Sequence, residues 1–369
     1  MVSRCQPAAF VPEVYGVYTN RTNPTERSTD ERGLTVEILN RLNRRMFLKG
    51  AGGTVALSTL GAGFGLSASG CATDDDPPAA DEEGMQAVTN GFGLTVTDSG
   101  VFEGRMNYFR FATNEISWQP AVNVLLPEDY FQNPTRRYPV MYLLHGGLQD
   151  FRKFHADDDI INLTRGRKLI VVMPDGGGAG WYCNPKSCLF GKKNWESFHI
   201  NQLVPWIDAN FRTYAEYDGR AVSGFSMGGF GALKYAAKYY GHFCSVSAHS
   251  GPASLRRDLG AVLLWAEISA KFAELNGGSL YGGDQGLISM DNPVERLDSF
   301  GYSKRIFLVA GLDADLNETF VLPGQREFRG LLASKGIPHE WHELPGGHFV
   351  RREMLQADID GVIARCRKA

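Results

Sequence analysis

The stretch Ala221-Val222-Ser223-Gly224-Phe225-Ser226-Met227-Gly228-Gly229 sets a serine at the centre of G-x-S-x-G, between a run that reads as a strand and one that reads as the start of a helix. A chain that passes from strand to helix on one residue forces that residue into a strained backbone conformation. Only small neighbours such as Gly224 and Gly228 leave room for the reversal. Ser226 is therefore the candidate nucleophile.

Outward from this turn, short apolar runs alternate with amphipathic ones. Strands are expected at 121–126, 138–144, 168–173, 220–224, 243–247, 305–310 and 339–344. Helical spacing covers 198–211, 230–239, 323–334 and 351–366. Wholly apolar strands separated by helices are the order expected of a mostly parallel central sheet with helices on both faces. The segment 252–303 breaks this rhythm, with a helix-like run at 261–275 followed by the glycine-rich 277–286, and reads as an excursion that walls a cleft.

Acyl transfer needs a nucleophile, a base, an acid that orients the base, and donors for the developing oxyanion. In an α/β-hydrolase the first three come in the order Ser, Asp or Glu, His, each at the carboxyl end of a strand. Ser226, Asp313 and His348 satisfy that order. Asp313 follows the apolar run 306–310 through Gly311-Leu312, with Asp315 as its nearby competitor. His348 follows Leu344-Pro345-Gly346-Gly347 after the last expected strand. The backbone amide of Met227 is one candidate oxyanion donor. The second is expected from Leu143-Leu144-His145-Gly146-Gly147, at the Gly147 amide.

Competing readings are weaker. His145 with His155 and the carboxylates at 157–159 would make a metal site, but the spacing matches no zinc pattern. Gly176-Gly177-Gly178-Ala179-Gly180 lacks a following Gly-Lys-Ser/Thr and reads as an active-site loop, not a phosphate loop. Trp181, Tyr182 and Trp195 are aromatic candidates for lining a substrate site or for ordinary packing. No cofactor or metal is called for. Cys183 and Cys188 are close enough in sequence to close a small disulfide loop, and Cys244 sits in a strand-like run as a small hydrophobe.

A chain of 369 residues with 43% apolar content has room for a large core. A formal net charge of -3 and a pI near 6.3, without a long basic block, give no electrostatic reason to expect nucleic acid. Near the start, Asn43-Arg44-Arg45-Met46-Phe47-Leu48-Lys49 is similar to a twin-arginine export signal. The next 24 residues carry no charge and seven glycines, and Leu66-Ser67-Ala68-Ser69-Gly70-Cys71 resembles a lipobox, which would make Cys71 a lipidated membrane anchor. The expected organisation is an extension or misassigned start at 1–43, a signal peptide at 44–70, an acidic flexible linker at 71–90, and a catalytic domain at 91–369.

With these pieces assembled, the chain resembles the esterase family that includes antigen 85 mycolyltransferases, esterase D and microbial feruloyl esterases. The resemblance rests on Tyr142-Leu143-Leu144-His145-Gly146, Val171-Val172-Met173-Pro174-Asp175-Gly176, Trp195-Glu196-Ser197-Phe198, Gly224-Phe225-Ser226-Met227-Gly228-Gly229, Gly311-Leu312-Asp313 and Gly346-Gly347-His348. It implies an α/β-hydrolase fold and a metal-independent serine mechanism with Ser226, His348 and Asp313. In antigen 85 proteins the elbow also reads Ser-Met, which supports Met227 as a donor. Their oxyanion strand ends Leu-Leu-Asp-Gly-Leu where this chain has Leu-Leu-His-Gly-Gly, a departure that leans toward plain esterases. The expectation is an exported carboxylic ester hydrolase acting on a small-molecule, lipid or carbohydrate ester. The alternatives are an acyltransferase using the same intermediate and a non-catalytic binding protein on the same fold, the latter opposed by the full Ser, Asp and His set.

Overall fold

The computed structural model describes residues 84–367. The extension at 1–43, the signal at 44–70, Cys71 and the linker up to residue 83 lie outside the described residues. The last part of the expected linker is strapped to the domain. The Gln86 amide donates to Asn107 Oδ1 at 2.7 Å, and Trp206 Nε1 donates to the Thr89 carbonyl at 2.8 Å. The ordered domain thus begins several residues before 91.

Nine strands form one sheet: β1 (Leu94–Phe102), β2 (Met106–Thr113), β3 (Ala121–Leu125), β4 (Val140–Leu144), β5 (Ile170–Pro174), β6 (Arg220–Phe225), β7 (Ser245–His249), β8 (Arg305–Gly311) and β9 (Glu340–Leu344). Their spatial order is β1-β2-β3-β5-β4-β6-β7-β8-β9. From β5 through β9 every pairing is parallel, and β1, β2 and β3 add an antiparallel flank. All seven expected strands are present within a few residues of their expected bounds. The apolar spacing does not reveal β1 and β2, because β1 carries Thr95, Thr97, Asp98 and Ser99 on an edge with a bulge between Val96 and Asp98. Such an edge strand is half-solvated and lacks the continuous apolar signature of a central parallel strand.

The main helices are α1 (Val204–Asn210), α2 (Met227–Lys238), α3 (Arg257–Ala273), α4 (Gln285–Asp291), α5 (Leu316–Ser334) and α6 (Arg352–Arg365). A short helical turn at Trp195–Ser197 and a π-helical turn at Phe198–Leu203 run directly into α1. In α3 the residues Asp258, Leu259 and Gly260 are left-handed, so regular helix starts near 261, where the spacing predicts it. The larger departure is α5, which begins at Leu316, well before the expected residue 323. Asp315 caps it and Pro323 lies in its interior, where the missing N–H costs one helical hydrogen bond.

Alternation along the central strands splits the core between the two faces of the sheet. Val140, Tyr142 and Leu144 of β4 pack with Phe230 and Leu233 of α2 and with Trp206 of α1. Met141 and Leu143 pack on the other face with Leu355, Ile359 and Val362 of α6. Each such fully buried side chain contributes about 1.5–3 kcal/mol relative to exposure. Between β4 and β6 the order reverses: β5, which follows β4, lies on one side of it and β6 on the other. The connections leaving the carboxyl ends of these two strands thus run to opposite sides, the topological switch point at which open α/β sheets bind ligands.

Candidate active site

Ser226 occupies the junction between β6 and α2 with φ 55° and ψ −120°. The flanking glycines are required by contact. A Cβ on Gly224 would lie 2.2 Å from the Gly228 carbonyl oxygen, and one on Gly228 would lie 2.1 Å from that of Leu144. The Ser226 amide donates to the His249 carbonyl at the end of β7, 2.9 Å away, so the neighbouring strand fixes the turn.

The structure brings Ser226 and His348 together: Ser226 Oγ lies 2.7 Å from His348 Nε2. The ring lies tilted by 41° against Phe225, with centroids 4.9 Å apart. Its other nitrogen, Nδ1, faces Glu318 Oε1 at 3.3 Å, and the Glu318 side chain is buried. The hydrogen-bond pattern assigns the proton on Nδ1 to Glu318 and leaves Nε2 to accept from the serine hydroxyl.

Asp313 does not reach the imidazole. It is exposed, and its part in the loop is made by its backbone, whose amide donates to the Gly346 carbonyl and whose carbonyl accepts from the Asp315 amide. The physical reason is the early start of α5. The chain leaves β8 at Gly311, and the first turn of α5, beginning after Asp315, aims the side chain three positions beyond that cap at the histidine.

Asp315, the alternative acid, also acts elsewhere. One carboxylate oxygen accepts from the Glu318 amide at 2.8 Å and the other from the His348 amide at 2.6 Å. A single carboxylate thus aligns the helix end that carries Glu318 and the loop that carries His348. Burial alone would raise its pKa, but these amides outweigh it and hold the group below the usual carboxylate range. Arg351 closes the loop from behind, with Nη2 within 3.0–3.3 Å of the carbonyls of Leu344, Pro345, Gly346 and Gly347.

The loop after β4 lies against the serine, with a Cβ on Gly146 falling 3.2 Å from Ser226 Cβ. Its amides divide clearly. Gly146 donates to Gln149 Oε1 at 2.9 Å and Leu148 donates to the Gly178 carbonyl at 2.7 Å. The Gly147 amide has no acceptor among the described residues, and Gly147 is exposed. Met227 is the first residue of α2, where an amide has no intrahelical acceptor. Both proposed oxyanion donors are therefore available.

His145 is not free to hold a metal. Its Nε2 accepts from the Gly176 amide at 2.8 Å and its Nδ1 lies 2.8 Å from the Gly146 carbonyl, so both ring nitrogens are engaged in tying the two glycine-containing loops together. His155 instead faces Glu103 at 3.1 Å. Trp181, Tyr182 and Trp195 are all buried and serve packing, with Tyr182 donating to the His145 carbonyl and Trp195 to Glu274. Cys183 and Cys188 are both free thiols: Cys183 is buried against Tyr281 and Asp291, while Cys188 faces the Phe190 carbonyl. The chain between them, although short, turns their sulfurs to different partners.

Glu318 is the residue that spacing missed. Its signal was present as Asp315-Leu316-Asn317-Glu318, the pattern of a helix cap followed three residues later by an acid. That pattern places the helix start seven residues before Pro323.

A serine on a strand-to-helix turn, with a histidine from a later loop and a buried carboxylate from the first turn of a later helix, all at the carboxyl edge of a mostly parallel sheet, defines an α/β-hydrolase-fold protein. Residues 113–360 match the profile of the family described as "Putative esterase", and the chain belongs to that esterase family. Esterase Rv1288 of Mycobacterium tuberculosis is 59% identical over 293 residues, covering 76% of this chain and 64% of the relative. This chain thus spans less than two thirds of that relative's length. Among solved structures, an S-formylglutathione hydrolase from Agrobacterium tumefaciens superposes with TM-score 0.60 at 16% identity, covering 74% of this chain and 99% of that one. MPT51 of Mycobacterium tuberculosis gives 0.58 at 18% identity, covering 69% and 97%. These two likenesses support the fold.

Proposed function

We propose that the protein is a serine carboxylic ester hydrolase that works through an acyl-enzyme, with Ser226 as nucleophile, His348 as base and Glu318 as the acid partner. The observation that carries this reading is the 2.7 Å contact between Ser226 Oγ and His348 Nε2 on a strained elbow, with Glu318 on the far side of the ring. As Ser226 Oγ attacks the ester carbonyl, its proton passes to Nε2, and the buried Glu318 carboxylate stabilises the imidazolium. The carbonyl oxygen takes the negative charge and is met by the amides of Met227 and Gly147. Collapse breaks the bond to the alcohol, which leaves with the proton from Nε2. A water then repeats the sequence on the acyl-serine, giving back the proton and the free serine.

The reading includes export and anchoring at Cys71, supported by Arg44-Arg45 and the small residues before that cysteine. The test of function is steady-state hydrolysis of p-nitrophenyl acetate, butyrate and palmitate by the full chain and by Ser226→Ala. Wild-type turnover that falls by at least about 10⁴-fold in the variant is expected. Equal rates in the two folded proteins on all three esters would refute the assignment.

A further inference from the structure

The short-range cysteine pair stays apart, but two cysteines far apart in sequence meet. Cys244 Sγ lies 3.1 Å from Cys366 Sγ, and the two are separated by 122 positions. Both are buried. Cys244 leads into β7, its amide donating to the Arg220 carbonyl and its own carbonyl accepting from Lys304, so its backbone is held between β6 and β8. Cys366 ends α6, with its amide on the Val362 carbonyl, and the next residue, Arg367, donates to the Asp218 carbonyl. Both backbones are thus pinned with the sulfurs already facing each other. A small side-chain adjustment would bring them to the bonding distance of about 2.05 Å.

We infer that Cys244 and Cys366 form a disulfide when the chain folds in an oxidising medium, fastening the end of α6 to the central sheet. The oxidant is a low-molecular-weight disulfide or a disulfide-exchange protein. Two protein S–H bonds and the oxidant's S–S bond break, and one protein S–S bond and two oxidant S–H bonds form. The cross-link matters to the site because α6 begins four residues after His348 and carries Asp358, the group buried beneath β6, β7 and β8. A long closed loop is also where a cross-link restricts the unfolded chain most.

The test is to refold the full chain with glutathione disulfide or with dithiothreitol, alkylate free thiols in denaturant, and map peptides without reduction. A linked peptide pair joining Cys244 to Cys366 is expected in the first sample and not in the second. Reduction should lower the wild-type Tm by roughly 5 °C or more and leave that of Cys366→Ala unchanged. Recovery of Cys244 and Cys366 as separately alkylated peptides from the glutathione sample, or linkage of either to another cysteine, would overturn the inference.

Discussion

Ser226 is held at φ 55° on a residue with a side chain, a conformation that costs on the order of 1–3 kcal/mol and persists only where the surroundings enforce it. Enforcement comes from both sides, through the Ser226 amide on His249 and the Gly228 contact with the end of β4. Adding one methyl group at Gly228 would drive the Leu144 carbonyl away, and with it the loop that bears Gly147. Gly228→Ala is expected to lose about 1–3 kcal/mol in urea unfolding and about 10²-fold in kcat through misplacement of the oxyanion loop. Wild-type values for both would show that the elbow has slack the contacts deny.

At the scale of elements, a buried histidine helps tie the stretch running through Trp195–Ser197 into α1 to its neighbours. His199 is fully buried, its Nε2–H donates to the Asp175 carbonyl at 2.8 Å, and its Nδ1 accepts from Tyr235 Oη of α2 at 2.9 Å. Burial lowers its pKa to about 4. The folded state therefore keeps the ring neutral where the unfolded chain, near 6.5, takes up a proton. Stability from this group is complete above about pH 6.5 and is lost as the pH falls from there toward 4, by about 3 kcal/mol in all. His199→Gln keeps a donor and an acceptor without the titration, so its unfolding free energy should fall less steeply over that window. Parallel slopes for wild type and variant would remove His199 from the acid response.

The same scale explains what could be read in advance. Central strands were legible because β4 to β8 are buried along nearly their whole length: β4 and β5 are apolar from end to end, while β6, β7 and β8 carry apolar residues interrupted by a few buried polar ones such as Ser223, Ser247 and Arg305. The meeting of Ser226 with His348 was legible because each lies within four residues of the carboxyl end of a parallel strand. Glu318 was not, since its position depends on where α5 begins. Pro323 is a common first-turn residue and so invites a later start, whereas the Asp315 cap fixes the true one. The edge strand β1 was hidden for the opposite reason, its exposed face being too polar to resemble the core strands.

Across the whole molecule, two buried charge clusters hold the helices that frame the site. On one face, Lys234 of α2 lies 2.6 Å from Glu196 and 3.0 Å from Asp291, which gives the Trp-Glu-Ser-Phe run a role in packing. On the other, burial alone would raise the Asp358 pKa, but Arg305 and His249 outweigh it and keep the carboxylate ionised, well below its usual range. Asp358 also accepts from Ser223 and Ser247, so α6 is joined to the strand that leads into Ser226. The sheet order then brings Ser226 together with His348, 122 positions later, and α5 delivers the carboxylate between them in sequence. That delivery is the central claim, and it separates two acids five residues apart. The decisive measurement is kcat/KM for p-nitrophenyl butyrate with folded wild type, Glu318→Gln and Asp313→Asn. A loss of roughly 10³–10⁴-fold in Glu318→Gln with less than about a threefold change in Asp313→Asn is the predicted result. The reverse pattern would contradict the account and return the role to Asp313.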